Sequence, residues 1–422
     1  MNVTVLGAAR QVGRSGFLVQ EGNTKVLMDY GVMFERRGEP PKFPVQVQSR
    51  DLDGAIITHA HLDHSGFMPS LFQTGSVDIF ATAPTFDLTE LLITDMLKLS
   101  KSKQYPFDAN QLYNMMRSAI DVPYGDKIQI GPISLELRQS GHVIGGSTIL
   151  MEADGKRLFY TGDIKVSGSR LLGPADLDIG AIDLLITEST YSQSEQVPRE
   201  ESERALVDFA NEIIDNKGRL FIPSFSVERA QEMLCILRAY GFKHKIVMDG
   251  MALKVNEILL RYPEFHRDPN VFQDAVNGAH SVKHNRDRKN AISDPCVIIS
   301  PAGMLVGGNA VFYLQELALD KKNGIAMVSY QGDGTPGKRL LDEGVVTVRG
   351  KDASVVAAVR QFQFSGHSDS KDLFDMLKKI EGNPQVMTVH GDAESCTMFA
   401  QQIQERFGLK AFAGEASQTV TV

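Results

Sequence analysis

Thr58-His59-Ala60-His61-Leu62-Asp63-His64 follows the apolar run Gly54-Ala55-Ile56-Ile57. That run reads as a buried strand, so the polar cluster sits where the strand ends. Three imidazoles and a carboxylate fall together here, in a chain of 422 residues that holds 10 histidines. Side chains at 59 and 61 point to one side if the extended geometry persists, while Asp63 and His64 come after the turn and face a second point. Two neighbouring divalent cations suit that division better than one. Neutral imidazole and carboxylate favour zinc, with manganese or iron as alternatives. A polar turn with chance histidines would leave this density unexplained.

Outward from this stretch, polar residues recur at the ends of other apolar runs. Asp29 closes the run at 25–28, and His142 follows the strand pair expected over 127–137. Asp163 follows a hairpin over 151–160 that turns at Asp154-Gly155, and Glu188 ends the run at 183–187. His367 precedes a helix, and His390 follows the run at 385–389. Sites in layered α/β folds form at such strand ends. The residue types predict a dinuclear hydrolase. His59, His61 and His142 hold one metal, Asp63, His64 and His390 hold the other, and Asp163 bridges. Two such cations lower the pKa of water toward neutrality and neutralise a phosphoryl oxygen in the transition state, so Asp63 counts among the catalytic groups as well as the ligands. Asp29 orients a ligand histidine from outside the ligand set. His367 is read as the general acid that protonates a leaving alkoxide, with Glu188 as its orienting partner. His244, His266, His280 and His284 lie away from these strand ends and read as surface or packing residues.

Composition sets the frame. Hydrophobic residues make up 42% and charged residues 23%, as in ordinary globular proteins. No apolar run approaches the ~20 residues that span a bilayer, so no membrane role is expected. The N-terminus reads as a first strand and not a signal peptide. Three scattered cysteines (Cys235, Cys296, Cys396) argue against a disulfide framework and for a reducing cytoplasm. The net charge of −8 does not advertise a nucleic-acid binder, yet a cleft holding two divalent cations would be locally positive. Helices are expected over 84–103, with its Met and Leu residues at 91–99 in the core, and over 110–120 with Asp108 as cap. From about 193 to 360 strands alternate with helices, as at 200–216 and 228–239, which predicts a parallel sheet. The division expected is 1–192, an inserted domain at 193–360, and a return to the first domain at 361–422.

Taken together, the His59-to-His64 motif with Asp29, His142 and Asp163 resembles the four metal-site motifs of the metallo-β-lactamase superfamily. Glu188, His367 and His390 match the three further motifs of its β-CASP branch of nucleic-acid nucleases, in the same order. The resemblance implies an α/β fold, an αββα sandwich carrying an inserted parallel α/β domain, with the site in the cleft between domains. It implies two zinc ions per chain, with manganese possible. It implies single-stranded RNA as substrate, since a histidine at the last motif is typical of RNA-cutting members. The products would be 5′-phosphate and 3′-hydroxyl ends, from 5′→3′ exonuclease or endonuclease action. Among such nucleases the chain is similar to the short archaeal homologues of the cleavage and polyadenylation specificity factor nuclease, with RNase J a near relative. A homodimer is a further implication.

Weaker signals surround this core. Gly332-Asp333-Gly334-Thr335-Pro336-Gly337-Lys338-Arg339 nearly matches a P-loop, but Arg339 stands where a Ser or Thr should hold magnesium. Pro336 also removes a backbone donor, so ATP is not expected. Lys338 and Arg339 remain candidates for an RNA phosphate, as do Ser365 and Ser368 beside His367. The basic run at 283–289 reads as a solvated loop. A small-molecule hydrolase of the thioesterase or lactonase type, and a non-catalytic subunit of an RNA-processing complex, are the competing functions.

Overall fold

The computed structural model describes residues 1–34, 39–100 and 105–422. By internal contacts the chain divides into two units. One comprises Met1–Gly168, Pro174–Glu195 and His367–Val422, and the other Ser169–Gly173 and Gln196–Gly366.

The first unit is built on two seven-stranded sheets. One runs in the order Thr419–Thr421, Asn2–Val5, Gly16–Glu21, Thr24–Tyr30, Gly54–Ile56, Ile79–Ala81 and Ala119–Asp121. The other runs Ala411–Ala413, Gln385–Val389, Leu184–Glu188, Lys156–Tyr160, Ser147–Ala153, Ile133–Gln139 and Lys127–Ile130. The period-two pattern of side chains makes the layer. In Ile133–Gln139, Ile133, Leu135 and Leu137 are buried while Ser134, Glu136 and Arg138 are partly exposed. These inward residues meet Val3, Phe17, Val19 and Met28 of the facing sheet in one core. Each such side chain contributes roughly 1.5–3 kcal/mol on burial. The outer face of the first sheet packs Leu27, Ala55 and Ile79 on helices Ala83–Leu99 and Ala109–Arg117, through Ile93, Met96, Leu112 and Met115. The outer face of the second packs Phe159, Leu185 and Val386 on helices Ser370–Lys379 and Ala393–Phe407. The layers are therefore helix, sheet, sheet, helix, as the resemblance implied.

Strand direction places the polar residues. Thr24–Tyr30 and Gly54–Ile56 are parallel neighbours. Lys156–Tyr160, Leu184–Glu188 and Gln385–Val389 are likewise parallel. Their C-terminal ends share an edge within each sheet, and Asp29, Thr58 to His64, Asp163, Glu188 and His390 all stand there.

The second unit is an all-parallel six-stranded sheet in the order His280–Val282, Ile246–Asp249, Val297–Ser300, Leu220–Pro223, Gly324–Met327 and Ala358–Gln361. Its central strands are buried at every residue, because both faces are covered. One face meets Leu206, Phe209, Met233 and Leu234 of helices Arg199–Asp215 and Arg229–Ala239. The other meets Ala310, Tyr313 and Leu314 of helix Gly308–Leu317.

Several local expectations change. The helix expected over 110–120 stops at Arg117, and Ala119–Asp121 pairs with Ile79–Ala81 instead. Pairing with a sheet edge outweighs a weak helical preference. Asp108 does cap that helix, in a reciprocal box with Gln111. The helix expected over 84–103 ends at Leu99, which is 77% exposed and not core. Residues 101–103 of that expectation, and 35–38 of the loop before the metal motif, lie outside the described residues. The metal-motif strand ends at Ile56, so His59 and His61 belong to a loop that leads into the single turn Leu62–Ser65. The three cysteines are buried and free. Among the described residues no helix is long and apolar enough to cross a membrane.

The metal-motif loop rests on Gly31. A Cβ there would lie 1.7 Å from the Asp63 carbonyl oxygen and 2.6 Å from the His64 nitrogen. The same neighbourhood is stitched by Ser15 N–H to Asp63 O at 2.8 Å and Val32 N–H to Leu62 O at 2.8 Å. Gly31→Ala is expected to cost on the order of 2–4 kcal/mol in denaturant unfolding, since the clash is with backbone. Divalent-metal affinity should fall with it, which a metal titration of the folded fraction checks.

Candidate active site

Asp29 anchors the site from within the first sheet. It leaves its strand with a φ of 56°, a left-handed conformation that Asp tolerates better than most residues. This turns a fully buried carboxylate toward the ends of two other strands. Asp29 Oδ1 accepts the Thr58 N–H at 2.8 Å and the Thr58 hydroxyl at 2.9 Å. Asp29 Oδ2 accepts from His64 Nδ1 at 2.7 Å and from the Tyr160 hydroxyl at 2.9 Å. Burial, with Asp29 beside it, pushes the Tyr160 phenol well above its ordinary pKa, so it stays a donor.

These bonds set the imidazoles. The Thr58 hydroxyl has one proton and gives it to Asp29. Its lone pair therefore accepts from His59 Nδ1, 3.1 Å away, and His59 Nε2 is left bare. His64 Nδ1 is likewise committed to Asp29, and its Nε2 turns inward with the Ser15 hydroxyl 3.3 Å away. The inward-facing nitrogens converge. His59 Nε2 is 3.2 Å from His61 Nδ1, which is 3.1 Å from His142 Nε2. His64 Nε2 is 3.3 Å from His390 Nε2, which is 3.2 Å from Asp63 Oδ2. Asp163 lies between the groups. Its Oδ2 is 3.5 Å from His59 Nε2 and 3.6 Å from His142 Nε2, and its Oδ1 is 3.2 Å from both His64 Nε2 and His390 Nδ1.

Charge follows from this crowding. Burial drives His59 and His61 below the ordinary imidazole pKa, so both are neutral. Burial opposes charge on His64 too, but Asp163 and Asp29 outweigh it and raise its pKa well above normal. Burial also opposes charge on Asp63 and Asp163. His390 and His64 more than offset it and hold both carboxyls well below the usual range.

Two ligand sets emerge: His59, His61, His142 with Asp163, and Asp63, His64, His390 with Asp163. Within each set the ligand atoms lie within 4.8 Å of one another. Zinc bonded at 2.0–2.1 Å sets tetrahedral nitrogen pairs about 3.3 Å apart, close to the spacings here. Asp163 Oδ1 is buried and makes no aligned hydrogen bond. Converging imidazole nitrogens and a carboxylate oxygen without an aligned hydrogen bond fit divalent cations, which would also displace the extra proton on His64.

His367 stands beside these sets. Its Nδ1 bonds Glu188 Oε2 at 2.8 Å, and its Nε2 is 3.9 Å from Asp163 Oδ2. Glu188 is fully buried, and its Oε1 accepts the Ile164 N–H at 2.7 Å. Burial opposes charge on His367, but Glu188 and Asp163 lift its pKa to about 9. Asp163, Glu188 and His367 thus form a third cluster of potential ligands, though the Glu188 bond occupies one of the His367 nitrogens.

The phosphate candidates fare differently. Ser368 is fully buried, with its hydroxyl donating to Ile164 O and accepting from Val166 N–H, both at 2.9 Å. It anchors the Asp163 loop. Lys338 pairs with Asp342, and Arg339 with Glu343 and Asp352, so both charges are matched within the second unit. The Gly337 N–H of the P-loop-like stretch donates to Met304 O. Ser365 belongs to the second unit. His266 packs on Phe272 at 4.5 Å and bonds Leu259 O, a structural role. Thr58 and Tyr160 were not singled out from the sequence. A polar hydroxyl ending each apolar run was the available signal.

Comparison with known proteins adds three matches. Residues 10–223 match the metallo-beta-lactamase superfamily, 230–340 the Beta-Casp domain, and 352–413 the Zn-dependent metallo-hydrolase RNA specificity domain. A relative from Saccharolobus solfataricus named RNase aCSPSF2 is 32% identical over 99% of this chain and 85% of its own length. The transcription termination factor FttA of Methanocaldococcus jannaschii is 36% identical over 96% of this chain and 69% of its own length. Probable RNase MJ4 of the same organism is 32% identical over 94% of this chain and 95% of its own. A crystal structure of an Enterococcus faecalis protein of unknown function aligns over 100% of this chain with a TM-score of 0.65 at 15% identity, a likeness of fold.

Asp29→Ala should lower divalent-metal affinity about 10–100-fold, because His64 loses the partner that holds its tautomer. Tyr160→Phe should cost less, since the Asp29–His64 bond remains. Competition against a chromophoric chelator measures both.

Proposed function

Because this chain belongs to the β-CASP nucleases of the metallo-β-lactamase superfamily, we propose that it hydrolyses phosphodiester bonds of single-stranded RNA with two zinc ions, leaving 5′-phosphate and 3′-hydroxyl ends. The observation that carries the reading is the His367–Glu188 pair at 2.8 Å, beside Asp163. A leaving alkoxide needs a proton at that moment, and an imidazole held by a buried carboxylate supplies one. A thioester releases a thiolate, which has little need of it. The RNase names of two relatives and the RNA-specificity match support RNA as the polymer cut.

His59, His61 and His142 would hold one zinc, Asp63, His64 and His390 the other, with Asp163 shared. When bound, such ions lower the pKa of water and neutralise charge on a phosphoryl oxygen. The chain's own residues do the rest. Asp29 keeps His64 turned with Nε2 inward. Glu188 keeps the His367 Nδ1 proton engaged, so Nε2 carries the proton that passes to the departing 3′ oxygen. Attack by water leaves the 2′-hydroxyl without a nucleophilic role.

The test is a time course on a 5′-monophosphorylated single-stranded RNA, labelled at either end, with zinc, with manganese, and after chelation. Cleavage with either metal and none after chelation supports the reading, and metal analysis should find two ions per chain. Stepwise loss from the 5′ end marks an exonuclease, and discrete internal fragments an endonuclease. RNA left intact under every divalent metal overturns the reading, as does faster turnover of a generic thioester. His367→Ala should lower kcat roughly 10²–10⁴-fold with metal content unchanged. The pH dependence follows from the same residue. An acid with its pKa raised to about 9 is protonated below that value and lost as pH climbs through it, so the rate should fall on the alkaline side. Glu188→Gln removes the charge that raises the pKa, so the fall should begin at lower pH.

A further inference from the structure

A cavity of about 260 Å³ opens on the first unit, away from the metal ligands. Its walls come from the segment after strand Leu184–Glu188, from helix Ser370–Lys379 and from helix Ala393–Phe407. The floor is Phe374, 7% exposed and packed on Phe399 and Phe407. The Arg406 guanidinium lies 4.0 Å above the Phe374 ring. Stacking fixes its plane and leaves its N–H edges outward. Among the described residues Arg406 and Lys371 have no carboxylate at ion-pair distance, whereas Lys378 is matched by Asp375 at 2.7 Å. One further carboxylate, Glu195, lines the cavity and has no cation at ion-pair distance. The site thus offers two open cations and one open acceptor.

The walls run directly into the proton-donor pair. Ser192 is four residues after Glu188 and Ser370 three after His367, at most about 14 Å and 11 Å of chain. The two segments are joined by a bridge between Tyr191 and Asp369 and by Ser370 N–H to Ser194 O at 3.0 Å. A strand cut at His367 therefore has this cavity within reach. Its volume is below the ~300 Å³ at which drug-sized pockets begin, and suits one sugar–phosphate unit.

Building on the RNA reading, we propose that this cavity holds one ribose–phosphate unit of the substrate strand, near the bond that is cut. Arg406 and Lys371 take its phosphate, Arg406 through two N–H groups at once. Glu195 accepts the 2′-hydroxyl, the group that distinguishes RNA from DNA. Arg406 and Lys371 then govern affinity, and Glu195 governs the choice of sugar.

The test uses the metal-loaded full chain with four variants, Arg406→Ala, Arg406→Lys, Lys371→Ala and Glu195→Ala. Substrates are a 20-nucleotide RNA, the same RNA with single 2′-deoxy substitutions scanned along it, and bis(p-nitrophenyl) phosphate, which is too small to span both sites. Arg406→Ala should raise the KM for RNA roughly tenfold and Lys371→Ala several-fold. Each should reduce the salt slope by about one. Hydrolysis of the small diester should be unchanged in both. Wild type should lose rate at one 2′-deoxy position, and Glu195→Ala, which removes the acceptor, should lose that discrimination. Arg406→Lys should recover part of the affinity. Wild-type KM and salt slope in both cation variants would overturn the proposal while leaving the nuclease reading intact. So would an equal loss on RNA and on the small diester. A wild-type enzyme that hydrolyses the small diester but neither binds nor cuts RNA would overturn both.

Discussion

The Asp29 carboxylate is the interaction on which the rest of the centre depends. It is buried, it sits in a left-handed backbone conformation, and it accepts from Thr58, His64 and Tyr160. Those partners come from two sheets, so one side chain ties the ends of three strands at the site's edge. An isolated buried carboxylate would cost several kcal/mol or more. Three kinds of donor offset that cost, and they do so only in one arrangement. The geometry of the imidazoles is thereby specified before any cation arrives.

The centre also shows why a polar cluster persists in a hydrophobic setting. Imidazole nitrogens crowded together, and a buried Asp163 oxygen with no aligned donor, are unfavourable in each other's company. A protein with a free choice would neutralise them with donors. Here the nearest donors are mostly committed elsewhere: Thr58 spends its proton on Asp29 and His64 its Nδ1 proton there too, while the Ser15 and Thr190 hydroxyls lie 3.3 Å from His64 Nε2 and His390 Nδ1. Destabilisation of the empty arrangement and affinity for divalent charge are the same property. Glu188 plays the corresponding part for His367, lifting an imidazole that burial alone would push down.

Much of this was legible in the sequence because strand ends are legible. An apolar run that stops at a polar residue marks both a layer and an edge, and His59 to His64, Asp163, Glu188 and His390 all announced themselves that way. The hairpin at Asp154-Gly155 and the cap at Asp108 were readable for the same reason, since turn and cap chemistry is local. What misled were signals whose meaning depends on neighbours. Ser368 looked like a phosphate ligand beside His367, but its hydroxyl is spent on Ile164 and Val166. Lys338 and Arg339 looked available until Asp342, Glu343 and Asp352 were found against them. Ala119 and Ile120 continue a helical pattern, yet Ile79–Ala81 was waiting as an unpaired edge.

The sequence by itself determined the kind of chemistry: which residues are titratable, which can ligate a metal, and in what order they follow apolar runs. Those are properties of residue type and spacing, carried by any copy of the chain whatever its conformation. Tertiary structure decided which nitrogen of each imidazole faces its neighbours, how closely Asp163 sits between the two groups, and which cations remain unmatched. His59 and Asp163 are 104 positions apart and His64 and His390 are 326 apart, so their 3–4 Å distances exist only once two sheets have packed. Tyr160, silent in the sequence, became part of the site for that reason: a phenol at a strand end matters only when a buried carboxylate from the facing sheet lies within hydrogen-bond reach.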